Sequence, residues 1–221
     1  MIVNIILYQE AEPYERFMKM ELEKWLARCA SVVPLFIVYR TNQSEPLVHD
    51  QNVLSFRGEE GLIPQVLDKT MMAIQYARDR YQPEFIVRSN ISTFIQFYYF
   101  PYHELRDEPH GYATTCLITV NETMDYYGTT LRHLGTCFAS GTNIILRRDA
   151  IETLLQRKTE LDRSVIDDVS IGLVLGKPYE CVSKMAFNQC VDTFVVRNRS
   201  THRIEDLKRL KALRHLHKKC T

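Results

Sequence analysis

The spacing of apolar and polar positions changes repeatedly along the first half of the chain. Ile2–Tyr8 is a short, nearly continuous apolar run, the profile of a buried strand. Beyond Pro13, the residues Phe17, Met20, Leu22, Trp25, Leu26 and Cys29 recur near helical spacing. Val32–Tyr39 and Val53–Phe56 read as two further strands. Ile63–Tyr81 predicts a long amphipathic helix with Pro64 in its first turn; Pro83 ends it, and Phe85–Val87 forms a fourth strand. This alternation implies right-handed crossovers into a mainly parallel sheet with helices on both faces.

The second half is less regular. Thr93–Tyr102 carries Phe94, Phe97, Tyr98, Tyr99, Phe100 and Tyr102, which predicts an amphipathic helix packed on the sheet; an exposed aromatic binding surface is the other reading. Gly111–Val120 and Ile144–Leu146 read as strands, followed by a helix from about Asp149. Ser164 is placed to N-cap a helix through Leu175, with Asp167 at its third position as in a capping box. Thr193–Val196 is a last strand, and a basic amphipathic helix runs from His202. No repeat, low-complexity tract or linker interrupts the 221 residues, so one domain is expected over 1–221.

Composition narrows the function classes. A formal net charge of +1 argues against a general nucleic-acid or membrane-surface binder. The six cysteines show no C-x-x-C and no zinc-type Cys/His spacing, and several lie in apolar runs, as buried thiols do. The N-terminal apolar run is too short for a signal segment or a membrane span, so a cytoplasmic location is expected.

Three segments sit where open α/β sheets gather ligands, at strand ends. They are Arg88-Ser89-Asn90-Ile91-Ser92-Thr93, Ala139-Ser140-Gly141-Thr142 and Ile166-Asp167-Asp168-Val169-Ser170-Ile171-Gly172. None holds a GxGxxG or GxxxxGK[ST], and the chain has no GxSxG, so Rossmann, P-loop and esterase sites lack their signatures. Asp167-Asp168 at a helix start serves either to cap it or, for Asp168 facing a cleft, to take a proton from an attacking hydroxyl. Gly172 permits close approach of another backbone or a ligand. Arg197, Arg199 and Arg203 form either a solvated face or a cationic clamp for a diphosphate, because guanidinium forks match phosphate oxygens. Lys69 adds a point charge or lies at the surface, and the Lys208–Lys219 tail reads as a solvated helix face.

Taken in order, these segments resemble a GT-A glycosyltransferase of the fringe and β1,3-galactosyltransferase branch. The likeness is clearest where CFASGTNIILRRDAIETL is followed about two dozen residues later by DDVSIGLVL. The family shows a Tyr/Cys-x-Ser-Gly stretch, a strand, a helix and then Glu-Asp-Val-x-x-Gly. The resemblance therefore implies a GT-A-like α/β fold and a transferase that moves a hexose from a nucleotide-sugar, a UDP-sugar in this branch. The acceptor would be a hydroxyl of a glycan or glycoprotein, and the outcome inversion. Asp168 takes the place of the family's base and Asp167 that of the preceding Glu. Gly141 falls in the segment lining the sugar side, and Tyr8, ending the first strand, is expected on the nucleotide. Lys69 lies in the helix that precedes the family's metal motif.

At that motif the chain departs. Most GT-A enzymes carry Asp-x-Asp where this one has Arg88-Ser89-Asn90, which leaves Mn²⁺ or Mg²⁺ without its usual carboxylates. Some members use basic side chains instead, and Arg88 with Arg197, Arg199 and Arg203 would supply that charge. The RSN-x-STF loop is also similar to loops of glycosyltransferases from large DNA viruses and microbes, which for a viral member would mean the host cytoplasm. The alternatives to a glycosyltransferase are a degenerate GT-A domain that binds glycan or protein, and a nucleotidyltransferase.

Overall fold

The computed structural model describes residues 1–24, 29–132, 134–182, 185–189, 193–200 and 202–217. Trp25, Leu26, Cys190, Lys218, Lys219 and Cys220 lie outside them. A central eight-stranded sheet runs through the molecule in the order β13-β7-β12-β5-β1-β2-β4-β3. Its parallel middle comprises β1 (Ile2–Leu7), β2 (Val32–Arg40), β4 (Val53–Arg57) and β5 (Phe85–Asn90). These are the four strands expected from the apolar runs. β3 (Leu47–Asp50) adds an antiparallel edge that the sequence reading passed over, since its four residues are half exposed and carry little pattern.

Strand alternation sorts the core into two layers. Ile2 and Ile6 of β1 face a cluster containing Phe17 and Met20 of α1 (Tyr14–Lys24) and Leu207, Leu210 and Leu213 of α6 (Arg203–His217). Val3 and Ile5 face the opposite cluster. There α2 (Gln65–Tyr81) contributes Ala73, Ile74 and Ala77, and α4 (Arg148–Gln156) contributes Ala150, Ile151 and Leu154. Helices thus cover both faces.

The second half corrects three expectations. Thr93–Tyr102 is not a helix: β6 (Thr93–Ile95) is followed by a 3₁₀ turn at Phe97–Tyr99 and then α3 (Tyr102–Asp107). Phe94, Phe97 and Phe100 are buried while Tyr98 is exposed, so aromatic anchoring rather than helical period orders the segment. Gly111–Val120 breaks at Thr115-Cys116 into β7 (Tyr112–Thr114), in the main sheet, and β8 (Leu117–Thr119), which leaves it to pair with β11 (Cys137–Ala139). Ser164 does not cap the helix after it. α5 (Asp167–Leu175) is entered through Ile166 with no side-chain cap, and the Ser164 hydroxyl donates to Asp162 Oδ1 at 2.6 Å. Asp167 is therefore the first residue of α5.

The remaining strands are a hairpin of β9 (Met124–Tyr126) and β10 (Thr129–Leu131), then β12 (Asn143–Arg147) and β13 (Tyr179–Glu180) in the main sheet. A small sheet of β14 (Met185–Phe187), β15 (Val195–Arg197) and β6 completes the fold. Cys29, Cys116, Cys137 and Cys181 are free thiols. No helix among the described residues is long and apolar enough to cross a membrane.

Candidate active site

Strand register brings the three sequence segments to one place. β12 runs antiparallel to β5 with Asn143 opposite Ser89, so the Gly141-Thr142 turn sits beside the carboxyl end of β5. β15 pairs antiparallel with β6, placing Arg197 opposite Thr93, just beyond β5. α5 packs on β11 through Gly172, where a Cβ would overlap Phe138 and come within 3.2 Å of its Cα. The close approach at Gly172 is therefore to a strand rather than to a ligand. It sets the start of α5, with Asp167 and Asp168, under the Gly141 turn.

A cleft of about 850 Å³ opens at this carboxyl edge. Tyr8, Lys69, Arg88, Asn90, Ser92, Gly141, Asp168, Arg197, Arg199 and Arg203 all line it. Ser89 and Asp167 do not. Ser89 is buried, its hydroxyl 3.2 Å from Asn4 Oδ1.

The two aspartates have different surroundings. Asp167 is fully buried and ion-paired with Arg88, whose Nη2 lies 2.7 Å from Oδ2; the Thr70 hydroxyl donates to the same oxygen at 2.9 Å. Arg88 Nη1 donates to the Gly141 carbonyl and, at 3.2 Å, to Asn90 Oδ1. The Arg88 charge is thus compensated, and its fork ties β5, α5 and the Gly141 turn together. Gly141 has no room for a side chain, since a Cβ there would meet Arg88 Nη1 at 2.5 Å.

Asp168 faces the cleft but is only 2% exposed. Its Oδ2 accepts the Gly141 N–H at 2.8 Å and the Tyr126 hydroxyl at 2.9 Å, while Oδ1 accepts the Val169 N–H at 2.8 Å. Burial pushes its pKa up to about 6, and the neighbouring Asp167 charge adds to the rise; Arg88, the Gly141 amide and Tyr126 oppose it. Lys69 is buried on α2 and bonded to Glu60 Oε2 at 2.6 Å and the Tyr8 carbonyl at 3.2 Å, with burial lowering its pKa.

The arginines differ in the same way. Arg203 pairs with buried Asp206 at 3.0 Å. Arg197, 6% exposed, donates among the described residues to neutral groups, the Ser92 and Thr93 hydroxyls, each at 3.0 Å. Burial pulls its pKa down; Tyr127 opposes that fall, and Arg203, Arg199 and Arg88 each add a smaller repulsion. Arg199 is exposed, and among the described residues neither it nor Arg197 has a carboxylate partner. A bound anion would relieve that uncompensated positive charge. Among the described residues, no three His, Cys, Asp or Glu side chains are grouped as metal ligands.

Tyr126, Glu60 and Thr70 escaped the sequence reading. Thr70 and Glu60 offer no local signal, because their partners lie 97 and 9 residues away. Tyr126 had one: Met124–Tyr126 and Thr129–Leu131 flank Tyr127-Gly128, a two-residue hairpin connection with both φ values positive, +51° and +79°.

No protein-family model matches the chain, and no curated protein sequence does. Solved structures do resemble it. A glycosyltransferase involved in glycosylation of the major capsid of PBCV-1 matches with a TM-score of 0.52 at 11% identity, over 96% of this chain and 100% of that one. An active-site mutant of the galactosyltransferase LgtC matches with a TM-score of 0.50 at 11% identity, over 98% and 96%. A cytidylyltransferase from Thermus thermophilus follows at 0.45, with 11% identity and 97% and 100% coverage. The chain has a mixed α/β, GT-A-like fold.

Proposed function

We propose that this chain is a glycosyltransferase that moves a hexose from a nucleotide-sugar, a UDP-sugar on its sequence resemblance, to a hydroxyl of a glycan or glycoprotein, with inversion. One observation carries the proposal: a carboxylate of raised pKa, Asp168, and the guanidinia of Arg197 and Arg199, which have no carboxylate partner among the described residues, open onto the same cleft at the carboxyl edge of the sheet. That pairing suits a displacement in which a proton leaves the nucleophile while negative charge grows on the leaving group. The acceptor hydroxyl gives its proton to Asp168 as its oxygen bonds the anomeric carbon. The bond from that carbon to the diphosphate oxygen breaks, and its electron pair leaves on the diphosphate, held by Arg197, Arg199 and Arg203. Tyr8 and Lys69 contact the nucleoside end, and Asn90, Ser92 and the Gly141 turn border the sugar. Arg88 forms part of the cleft floor, and Asp167 and Ser89 act beneath it by holding that floor.

The residues at the metal-motif position do not fit Mn²⁺ or Mg²⁺. They offer a guanidinium, a hydroxyl engaged with Asn4 and one amide, whereas such ions take several oxygen ligands, usually including carboxylates. Arginine charge is therefore assigned to the leaving diphosphate.

Turnover tests this reading. With UDP-glucose, UDP-galactose, UDP-N-acetylglucosamine and GDP-mannose as donors and oligosaccharide acceptors, release of UDP or GDP should fall at least about 100-fold in Asp168→Asn. The thermal shift produced by UDP should persist in that variant. A near-native rate in Asp168→Asn would remove the base assignment, and nucleotide binding without any turnover in the wild type would favour a binding module.

A further inference from the structure

Among the described residues three groups donate to the Asp168 carboxylate, and they are not equivalent. The Gly141 amide belongs to a turn clamped by the Arg88 fork, and the Val169 amide belongs to the first turn of α5. Both are main-chain groups that the fold fixes. Tyr126 is a side chain on the β9–β10 hairpin, which pairs only with itself among the described residues. Half of that hairpin's eight residues are exposed, among them both turn residues. Its anchors are Leu131, the half-buried Met124, and the Tyr126 ring against Phe138, with centroids 5.4 Å apart. An element with so few buried contacts opens at low free-energy cost. The next residue, Tyr127, holds a left-handed backbone conformation at the turn, exposes its ring at the cleft mouth, and lies near Arg197. The hairpin tip thus reaches from the carboxylate toward the arginines.

We propose that Tyr126 decides between transfer and hydrolysis: its hydroxyl occupies on Asp168 Oδ2 the place that the acceptor hydroxyl must take, and keeps water from that oxygen until the acceptor displaces it. The inference rests on Asp168 being the base. It makes Tyr126 a specificity-determining residue, since an acceptor able to lift the hairpin gains the carboxylate and a lone water does not. When Tyr126 is absent, water takes the acceptor's role. Its proton passes to Asp168, its oxygen bonds the anomeric carbon, and the diphosphate leaves with the electron pair, giving free sugar and nucleoside diphosphate.

Two measurements on the full chain test this together. The first needs no substrate: a water-soluble carbodiimide with glycine ethyl ester, mapped by mass spectrometry, reports access to Asp168 with Glu60 of the same cleft as internal control. Labelling of Asp168 should rise about tenfold in Tyr126→Phe and further in Tyr126→Ala, while Glu60 is unchanged. The second is release of UDP or GDP from the four nucleotide-sugars named above without acceptor, which should rise about tenfold in Tyr126→Phe relative to transfer with acceptor present. Unchanged labelling of Asp168 in both variants, or an unchanged ratio of hydrolysis to transfer, overturns the inference. Raised labelling with no turnover of any donor in wild type or variant keeps Tyr126 as the cover of Asp168 and overturns the transferase reading instead.

Discussion

Asp167 and Asp168 are adjacent in sequence and sit on opposite sides of a functional divide, because their partners differ. Asp167 meets a guanidinium and is held as half of a buried ion pair. Asp168 meets two amides and a phenol, and the balance leaves its pKa raised to about 6. In the proposed role of base it works ionised, so the rate of transfer should climb as pH rises through about 6 and level off above it. A pH profile of kcat/KM checks this, and an acid limb near pH 4 would show that the carboxylate is not perturbed as described. Removing the partner of Asp167 has a different consequence. Arg88→Met leaves a buried carboxylate unpaired, which should cost about 3–5 kcal/mol in urea unfolding. Combining it with Asp167→Leu should recover much of that loss, because the stranded charge goes with it. The adjacent carboxylates were legible in the sequence as a pair. Their division was not, since it depends on Arg88, 79 residues away, and on Tyr126, 42 residues away.

At the scale of elements, the site depends on how α5 is seated. The helix is buried nearly all round and rides on β11 at Gly172, where the facing atoms belong to Phe138 and the strand backbone. Gly172→Ala must push helix and strand apart. The expected cost is about 1–3 kcal/mol of stability, with a fall in kcat as Asp168 moves from the Gly141 amide. Thermal unfolding together with turnover checks both parts, and an unchanged Tm would mean that α5 is not seated by this contact. The parallel strands were legible because continuous apolar runs have few other uses. Thr93–Tyr102 misled because aromatic residues at mixed spacing suit a helix face as well as they suit a β6–3₁₀ segment pinned by Phe94, Phe97 and Phe100. The β9–β10 hairpin, only three residues a side, carries too short an alternation to stand out without its turn.

Across the whole molecule, a net charge of +1 conceals an uneven distribution. Lys69, Arg88 and Arg203 are matched by Glu60, Asp167 and Asp206, while Arg197 and Arg199 face the cleft with no carboxylate partner among the described residues. The sequence showed the arginines together but not which of them would be neutralised, because those partners come from other parts of the fold. In the proposed reaction this charge receives a nucleoside diphosphate without a metal. Calorimetric titration of UDP and GDP in EDTA, repeated with Mn²⁺ and with Arg197→Gln, addresses it most directly. One nucleotide should bind equally well with and without the metal, and the substitution should weaken binding about tenfold or more. Binding that appears only with Mn²⁺, or that survives Arg197→Gln unchanged, would contradict the account.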